Sequence, residues 1–360
     1  MKLKKWMLLL LTLMLCLALA ACGAAEEETP AEEPAAEDAE QPAEEGGARV
    51  ISDFYGNEVE VPAEVTSIVT GKTVVTQLVA LVGGTDCLAS LGEGFNYTDG
   101  MLCKEIFPGL DDLPELKDND MNVESLLELK PDVILISSPS PDGNDVGNLL
   151  KESGLPVVYY NLANSDDLKH AVRMIAEIIG TDEAAAKAEQ YVEFYENAMK
   201  ETAEAAAASA EKPTAAYSRG ARGLCGANSM PGEWMTGLNA ENVAESLGIE
   251  AFNAEVTVEE FLNVNPQIIF CEGPQAVELL ADPQYAGLEA VQKGAVYSVP
   301  YGLACSGLAT AENPIVWYYA ANILHPDVCS YDMDAIVADF FKTFYGYELS
   351  QEQIDTILNK

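Results

Sequence analysis

The sequence NVESLLELKPDVIL, residues 122–135, aligns without gaps with TVEEFLNVNPQIIF, residues 257–270. In each copy a residue of the capping type, Asn122 or Thr257, precedes a short amphipathic stretch, and a proline then leads into an apolar run. This pattern predicts a helix that begins at the cap, ends before the proline and is followed by a buried strand. Because the unit recurs 135 residues later, we predict two lobes of similar construction.

The segments around the first copy alternate between strand and helix patterns. Residues 65–70 and 156–160 are short β-rich runs, residues 74–82 have a helical pattern, and residues 133–137 form a continuous apolar run. Such a run is typical of a parallel strand that is buried on both faces. The alternation predicts an α/β lobe with a mostly parallel sheet.

Residues 166–211 consist almost entirely of strong helix formers, with one interruption at residues 180–182. A cap at the interruption leaves residues 184–210 as one helical segment, about 40 Å long at a rise of 1.5 Å per residue. This length exceeds the width of a small lobe. We therefore predict a rigid helical linker over residues 166–211, between an N-terminal lobe, residues 49–165, and a C-terminal lobe, residues 212–360.

The chain opens with a basic and then an apolar segment. Three of the first five residues are lysines, and an almost uninterrupted apolar run follows over residues 7–21. The run is short for a membrane span and typical of an export signal. It ends in LAACG, residues 19–23, which resembles the cleavage box of bacterial lipoproteins. We expect residues 1–21 to be a signal peptide and Cys22 to carry a lipid; the alternative is an ordinary signal with a chance cysteine.

An acidic stretch follows the expected lipid site. Residues 23–48 contain ten acidic side chains and no basic ones, interleaved with Ala and Pro. Such a segment buries too little apolar surface to fold, and its like charges extend it. We predict a disordered tether over residues 22–48 that holds the following lobes at the extracytoplasmic face of a membrane.

The whole chain is strongly acidic, because 59 Asp and Glu side chains against 19 Lys and Arg give a net charge of −40. A protein that tracks nucleic-acid phosphates needs a basic face, so this class is excluded. Only His170 and His325 occur, which argues against a histidine-rich metal site. We expect His170 at the surface and His325 at a helix end, and no metal ligands.

The chain carries no catalytic motif: it has no nucleophile elbow, no metal-hydrolase helix motif and no dinucleotide fingerprint. Residues 71–73 read Gly-Lys-Thr, but the glycine that a phosphate loop needs five residues earlier is Thr66. We therefore expect no catalytic residue and no enzymatic activity.

Six cysteines follow the tether, with wide and irregular spacing and no C-x-x-C pair. This spacing argues against zinc ribbons and thioredoxin-like chemistry. An exported protein can form disulfides, so bridges and buried thiols both stay open, and Cys87 with Cys103 is the pair to test. The six are Cys87, Cys103, Cys225, Cys271, Cys305 and Cys329.

In their order and spacing, several segments resemble the substrate-binding lipoproteins of ABC importers for iron complexes, haem and cobalamin. The resemblance covers essentially the whole chain after the tether. It implies the class III periplasmic-binding-protein fold: two Rossmann-like α/β lobes with central, mostly parallel sheets, joined by a single long α-helix. The segments are residues 53–62 (opening hairpin), 122–136 (helix then strand), 154–158, 294–300, 313–326 and 344–353.

Two departures from the family pattern lie near the expected cleft. An arginine usual before the first strand is Thr66 or Ser67, and a tryptophan usual after residues 294–300 is replaced by residues 304–306. These changes put the ligand, rather than the fold, in question.

The resemblance implies a monomeric extracytoplasmic protein that captures a chelated iron complex, such as a ferric siderophore, and delivers it to an ABC permease and its ATPase. It implies no intrinsic cofactor. It also implies that one exposed glutamate per lobe docks to the permease, and the matching positions are Glu124 and Glu259; each also lies where a carboxylate stabilises a helix dipole. The alternatives are haem, cobalamin, molybdate or tungstate as the ligand, or a non-transport scaffold at the cell surface.

Ligands of such proteins lie against the loops that follow the carboxyl ends of the strands. Arg219 and Arg222, two of only four arginines, share one glycine-rich loop after a strand. Guanidinium groups bind carboxylate or catecholate oxygens well, so we expect these two arginines to contact the ligand. The alternative is that both lie on the surface and form salt bridges with nearby acids. Lys72 is a second candidate cation. Aromatic rings that could line the cleft are Phe95, Tyr97, Tyr159, Trp234 and Tyr301, with ordinary core as the alternative; we expect Trp317 in the core.

Overall fold

The computed structural model describes residues 47–95, 102–118, 121–137, 146–220, 223–273 and 275–360. The strands are β1 (Arg49–Ser52), β2 (Glu58–Val61), β3 (Ile68–Thr70), β4 (Leu91–Gly92), β5 (Glu115–Leu116), β6 (Val133–Ser137), β7 (Val157–Tyr160), β8 (Thr214–Arg219), β9 (Gly223–Leu224), β10 (Glu241–Asn242), β11 (Ala254–Glu255), β12 (Ile268–Cys271) and β13 (Val296–Ser298). The helices are α1 (Thr73–Leu81), α2 (Cys103–Ile106), α3 (Val123–Leu129), α4 (Val146–Glu152), α5 (Ser165–Ile179), α6 (Asp182–Ala206), α7 (Met230–Gly237), α8 (Val243–Ser246), α9 (Val258–Val264), α10 (Gln275–Ala281), α11 (Glu289–Lys293), α12 (Asn313–Leu324), α13 (Met333–Tyr345) and α14 (Gln351–Ile357).

The opening hairpin forms as predicted, with β1 antiparallel to β2. Its turn is organised by the buried carboxylate of Asp53, which accepts hydrogen bonds from the backbone N–H groups of Tyr55 and Asn57, both at 2.9 Å. An aspartate that binds the backbone two residues ahead is a common way to stabilise a turn.

The first sheet is parallel, as the alternation of strands and helices predicts. β6 lies between β3 and β7 in a three-stranded sheet, and β4 pairs with β5 in a separate two-stranded sheet. The isolated bridges Ile68↔Leu88 and Lys72↔Glu93 join residues next to β4 to the β3 side of the first sheet. The predicted strand over residues 65–70 begins only at Ile68. Side chains of β6 are buried along its length, which explains its uninterrupted apolar sequence.

The second sheet has the order β11-β9-β8-β12-β13, and β10 also pairs with β8. The strands β8, β10, β12 and β13 are parallel, whereas β9 and β11 run antiparallel to their neighbours. Each sheet has a core on both faces. In the first, Ile134 and Ile136 belong to one cluster and Val133 and Leu135 to another; in the second, Ile269 and Phe270 are divided in the same way.

The two copies of the sequence repeat have the same local structure. Asn122 caps α3 by accepting the Ser125 N–H at 3.1 Å, and Thr257 caps α9 by accepting the Glu260 N–H at 3.1 Å. Both helices end at a residue with positive φ, Lys130 at 51° and Asn265 at 40°. The chain then enters β6 and β12. The predicted duplication of a helix–strand unit is therefore confirmed.

The predicted helical linker contains two helices, α5 and α6, which meet at Gly180 (φ 76°) and the capping residue Thr181. α6 has 25 residues, or about 37 Å at 1.5 Å per residue, slightly less than predicted. One face of α6 is buried, and Tyr191 lies edge-on to Phe344 of α13 at 5.6 Å between ring centroids. The long helix is thus supported along its length by other helices.

Candidate functional site

The candidate site lies at the carboxyl ends of the parallel strands. Gln77 in α1, the helix that follows β3, donates a hydrogen bond from Nε2 to the carbonyl of Leu303 at 2.8 Å. Leu303 belongs to the loop after β13, so the carboxyl ends of the two sheets approach each other there. The side chain of Gln77 is buried in this contact.

Next to the first sheet, Lys72 follows β3, and its side chain is 49% exposed. Its Nζ lies 3.8 Å from Oδ2 of Asp118, a buried carboxylate. That same oxygen accepts hydrogen bonds from Ser137 at the end of β6, from the backbone N–H at 3.2 Å and from Oγ at 2.7 Å. Ser137 therefore holds Asp118 in place, and the half-exposed ammonium group of Lys72 lies within ion-pair distance of it.

The close approach of Asp118 explains Gly71. A Cβ on this residue would lie 2.1 Å from Asp118 Oδ1 and 2.6 Å from the Asp118 nitrogen. Nearby, burial raises the pKa of the Tyr160 hydroxyl well above its usual value, and the charge of Asp118 adds to the effect. Asp118 thus lies against Gly71, the neutral hydroxyl of Tyr160 and the ammonium group of Lys72.

On the second sheet, Arg219 at the end of β8 donates from Nε to Oε2 of Glu272 at 3.0 Å. Its guanidinium carbon lies 4.9 Å from the centroid of the Phe252 ring, a cation–π contact. The side chain of Arg219 is 31% exposed. Arg219 therefore pairs with a nearby acid, which is the alternative expected for it, and it lies partly buried at the end of β8; its contact with a ligand stays a prediction.

The loop after β13 carries Tyr301, whose side chain is partly buried; burial raises the pKa of its hydroxyl to about 12. The loop is held by Glu312, which accepts the N–H groups of Leu303 at 2.7 Å and Gly302 at 3.1 Å. Glu312 is fully buried, and this desolvation raises the pKa of its carboxyl to about 8 despite those hydrogen bonds.

Trp234 is a core residue, which corrects the expectation that it lines the cleft. Its ring is fully buried, lies edge-on to Phe270 at 5.1 Å and donates from Nε1 to the carbonyl of Gly307 at 3.2 Å. No ring face of Trp234 is left for a ligand. Phe95 and Tyr159 are buried as well, so ordinary core is the correct alternative for three of these aromatic residues.

Trp317 is buried in the core and His170 is exposed, both as predicted. His325 ends α12 as predicted, and there it is buried with Nε2 2.7 Å from the carbonyl oxygen of Leu238. Glu124 and Glu259 are exposed in the first turns of α3 and α9. Tyr97, Arg222 and the expected lipid site Cys22 lie outside the described residues.

The described part of the chain contains no group of three His, Cys, Asp or Glu residues that could hold a metal ion. Within the same residues no cysteines form a disulfide, so the thiols of Cys87 and Cys103 are not bridged. Burial raises the pKa of the Cys305 thiol to about 12. None of the described helices has the length and apolarity that a bilayer span requires.

Three residues that organise the site were not predicted from the sequence, namely Gln77, Asp118 and Glu312, and neither was the pairing of Glu272 with Arg219. Asp118 and Glu272 act on cations distant in sequence, which no local pattern reveals. The sequence does single out Glu312, because it is the one charged residue between positions 302 and 324. A lone acid in an apolar stretch needs hydrogen-bond partners when it is buried.

Residues 68–301 match the profile of a family described as periplasmic binding protein. The molybdate-binding protein MolA of Haemophilus influenzae is 24% identical in an alignment 330 residues long. The alignment covers 82% of this chain and 91% of MolA. Among solved structures, a periplasmic solute-binding protein of Veillonella parvula has a TM-score of 0.75 at 22% identity, covering 87% of this chain and 97% of its own.

A third similar structure is the triscatecholate siderophore-binding protein FeuA of Bacillus subtilis in complex with ferri-bacillibactin. It has a TM-score of 0.61 at 18% identity and covers 77% of this chain and 98% of its own. At these levels of identity the structures show a shared fold.

Proposed function

Because the chain belongs to the periplasmic binding protein family, we propose that it captures an anionic metal complex, a ferric chelate of the siderophore kind, at the carboxyl edges of its two sheets. The chain is the solute-binding component of an ABC importer and not an enzyme.

The observation that carries the proposal is the placement of Arg219. The chain has a net charge of −40, so long-range electrostatics repel an anion. Arg219 nevertheless lies half-buried at the carboxyl edge of the second sheet, held by Glu272 and the ring of Phe252. A guanidinium held in this way is a preorganised partner for the charged oxygens of a chelate. We include Arg222, Lys72, Tyr97 and Tyr301 in the proposed site.

Molybdate or tungstate is the second candidate ligand. It is favoured by the similarity to a molybdate-binding protein over 82% of the chain. Haem and cobalamin are less favoured, because flat macrocycles need exposed ring faces, and Phe95, Tyr159 and Trp234 are buried.

We further propose how the protein meets the membrane. A lipid on Cys22 and the acidic tether over residues 22–48 would keep the lobes near the permease. Glu124 and Glu259 would dock to it, since they are exposed and occupy equivalent positions of the internal repeat. Two carboxylates placed on related helices suit two basic sites on a two-fold permease surface.

The test is isothermal titration of the full chain in detergent with a ferric tricatecholate, ferric citrate, haem, cobalamin, molybdate and tungstate. We expect one-to-one binding of the ferric tricatecholate. Arg219→Ala should weaken it about tenfold or more, as the loss of a charge-assisted hydrogen bond requires.

The matched control is Arg173→Ala. Arg173 lies on the exposed surface of α5 and, like Arg219, pairs with a glutamate, in this case Glu189 of α6. It should leave the affinity unchanged. Binding of the oxyanions alone would select the second candidate. Binding of none of the six compounds would contradict the proposal and favour a non-transport scaffold.

A further inference from the structure

Asn313, the first residue of α12, holds the loop that precedes this helix. The loop, residues 299–312, follows β13 and carries Tyr301 of the proposed site. The side chain of Asn313 is fully buried, and its Nδ2 donates hydrogen bonds to the carbonyls of Ser306 at 2.9 Å and Leu308 at 2.8 Å. Both amide protons of Asn313 are therefore bonded to the same loop.

The oxygen of the same amide binds the long helix α6. Tyr195 of α6 is fully buried, and its hydroxyl donates to Oδ1 of Asn313. Asn313 thus connects α6 with the 299–312 loop through three side-chain hydrogen bonds. A buried amide with all these bonds made favours one arrangement, since an unpaired polar group in such a place is costly.

The loop in turn contacts both sheets near the proposed site. Gly307 packs on Tyr217 of β8, because a Cβ at this glycine would lie 2.7 Å from the tyrosine ring, and Tyr217 precedes Arg219 by two residues. Toward the first sheet, the carbonyl of Leu303 accepts the hydrogen bond from Gln77 at 2.8 Å. A displacement of the loop therefore changes its contacts with β8 and with α1 together.

We infer that Asn313 is a positioning residue for ligand capture: it keeps the 299–312 loop in the shape in which Tyr301 contacts the ligand, and it ties that shape to α6 through Tyr195. This inference rests on the proposed function and adds to it a residue that lies behind the ligand site. Because the Asn313 side chain is fully buried, it acts through the loop and not by contact with the ligand.

Two variants separate the two sides of the amide. Asn313→Asp keeps an oxygen for Tyr195 and replaces both donors by an acceptor that faces the carbonyls of Ser306 and Leu308. Tyr195→Phe removes the hydroxyl of α6 and leaves the bonds to the loop in place. The assay is isothermal titration of the full chain in detergent with a ferric tricatecholate and with tungstate. For whichever compound wild type binds, we expect Asn313→Asp to bind about tenfold or more weakly, and Tyr195→Phe about threefold to tenfold more weakly.

Matched controls make the same chemical changes elsewhere on α12 and at another contact of α6. Asn322, near the end of α12, donates to the carbonyl of Tyr331 at 2.9 Å and accepts its N–H at 2.8 Å. The Tyr331 hydroxyl donates to the carbonyl of Glu201 in α6 at 3.2 Å. Asn322→Asp and Tyr331→Phe should lower the urea midpoint of unfolding, as the two test variants do, and leave the affinity unchanged, because neither bond involves the loop.

A spectroscopic signal reports the loop without any ligand. Trp234 donates from Nε1 to the carbonyl of Gly307 at 3.2 Å, so its indole N–H resonance in protein labelled with nitrogen-15 tryptophan depends on the position of the loop. We expect this resonance, assigned with Trp234→Phe, to shift in Asn313→Asp and to stay in place in Asn322→Asp.

An affinity of Asn313→Asp equal to that of wild type, or a Trp234 resonance that does not shift, overturns the inference and leaves the proposed function intact. So does an equal loss of affinity in Asn322→Asp, since the effect then follows stability and not the loop. If Asn313→Asp does not fold, Tyr195→Phe decides, and an affinity equal to that of wild type overturns the inference. If wild type binds neither compound, the proposed function fails, and the inference fails with it.

Discussion

The buried carboxyl group of Glu312 predicts a marked pH dependence of stability. Desolvation raises its pKa from the usual 4.5 to about 8 in the folded protein. Below pH 4.5 the group is protonated in both the folded and the unfolded state. As the pH rises from 4.5 to 8, the unfolded chain releases the proton and the folded chain keeps it, so folding is progressively disfavoured.

The size of this effect follows from the two pKa values. At 1.36 kcal/mol for each tenfold change in proton affinity, the interval between 4.5 and 8 corresponds to about 5 kcal/mol. Glu312→Gln has no ionisable group at this position. We therefore expect wild type to lose about 4 kcal/mol relative to Glu312→Gln between pH 5 and pH 9, most of it before pH 8.

The assay is urea unfolding of both proteins at half-unit steps from pH 5 to pH 9, with the free energies of unfolding subtracted at each step. Groups facing Glu312 are the hydroxyls of Tyr191, Tyr301 and Tyr345, whose pKa values are all raised and which stay neutral over this range. Glu348→Gln is the control, because the hydrogen bond from Lys342 lowers the pKa of this exposed carboxyl. A difference between wild type and Glu312→Gln that does not vary with pH would refute the reasoning.

Three further predictions concern stability and reactivity. Gly71→Ala places a Cβ 2.1 Å from Asp118 Oδ1 and should cost about 1–3 kcal/mol of unfolding free energy in urea; an unchanged midpoint would contradict the contact. Thr257→Ala removes the hydroxyl that accepts the Glu260 N–H and leaves the bond from the Thr257 backbone N–H to the Glu260 carboxylate in place; it should cost about 1 kcal/mol in the same assay, whereas no loss would argue against the capped helix. The Cys305 thiol, with its pKa raised to about 12 by burial, should resist alkylation by iodoacetamide at pH 8 until urea unfolds the protein, as mass spectrometry can show; rapid alkylation of the folded protein would contradict its burial.

Local signals in the sequence were sufficient for much of the fold. The caps Asn122 and Thr257 and the prolines after their helices mark where α3 and α9 begin and end, and these limits depend on hydrogen bonds within a few residues. The apolar run of β6 likewise reflects burial on both faces. The two-residue strands β9 to β11 were not predicted, because a pair of residues carries no periodicity.

The candidate site was less predictable, because its contacts join distant residues. Lys72 and Asp118 are 46 positions apart, and Arg219 and Glu272 are 53 apart. Only tertiary structure selects these partners from the 59 acidic side chains. The error over Trp234 has a similar cause: its place after a strand and a glycine-rich loop suggested a cleft, whereas packing against Phe270 buries the ring.

Hydrogen bonds also limit how far the two lobes can move. Glu233 of α7 accepts the N–H of Ser165, the first residue of α5, at 2.8 Å, and Gln77 binds Leu303. Separation of the lobes would break both contacts, of which the first is partly buried and the second buried, and lost hydrogen bonds are costly in such surroundings. We therefore expect ligand capture with small closure rather than a wide hinge motion.

The central claim, an anionic metal ligand bound by Arg219 at the carboxyl edge of the second sheet, is tested most directly by anomalous diffraction. Crystals of the protein grown with a ferric tricatecholate or with tungstate would be measured at the iron or tungsten edge. The account predicts one strong peak beside the side chain of Arg219, with ligand oxygens within hydrogen-bond distance of its guanidinium group. A peak from a ligand that does not contact Arg219 would contradict it.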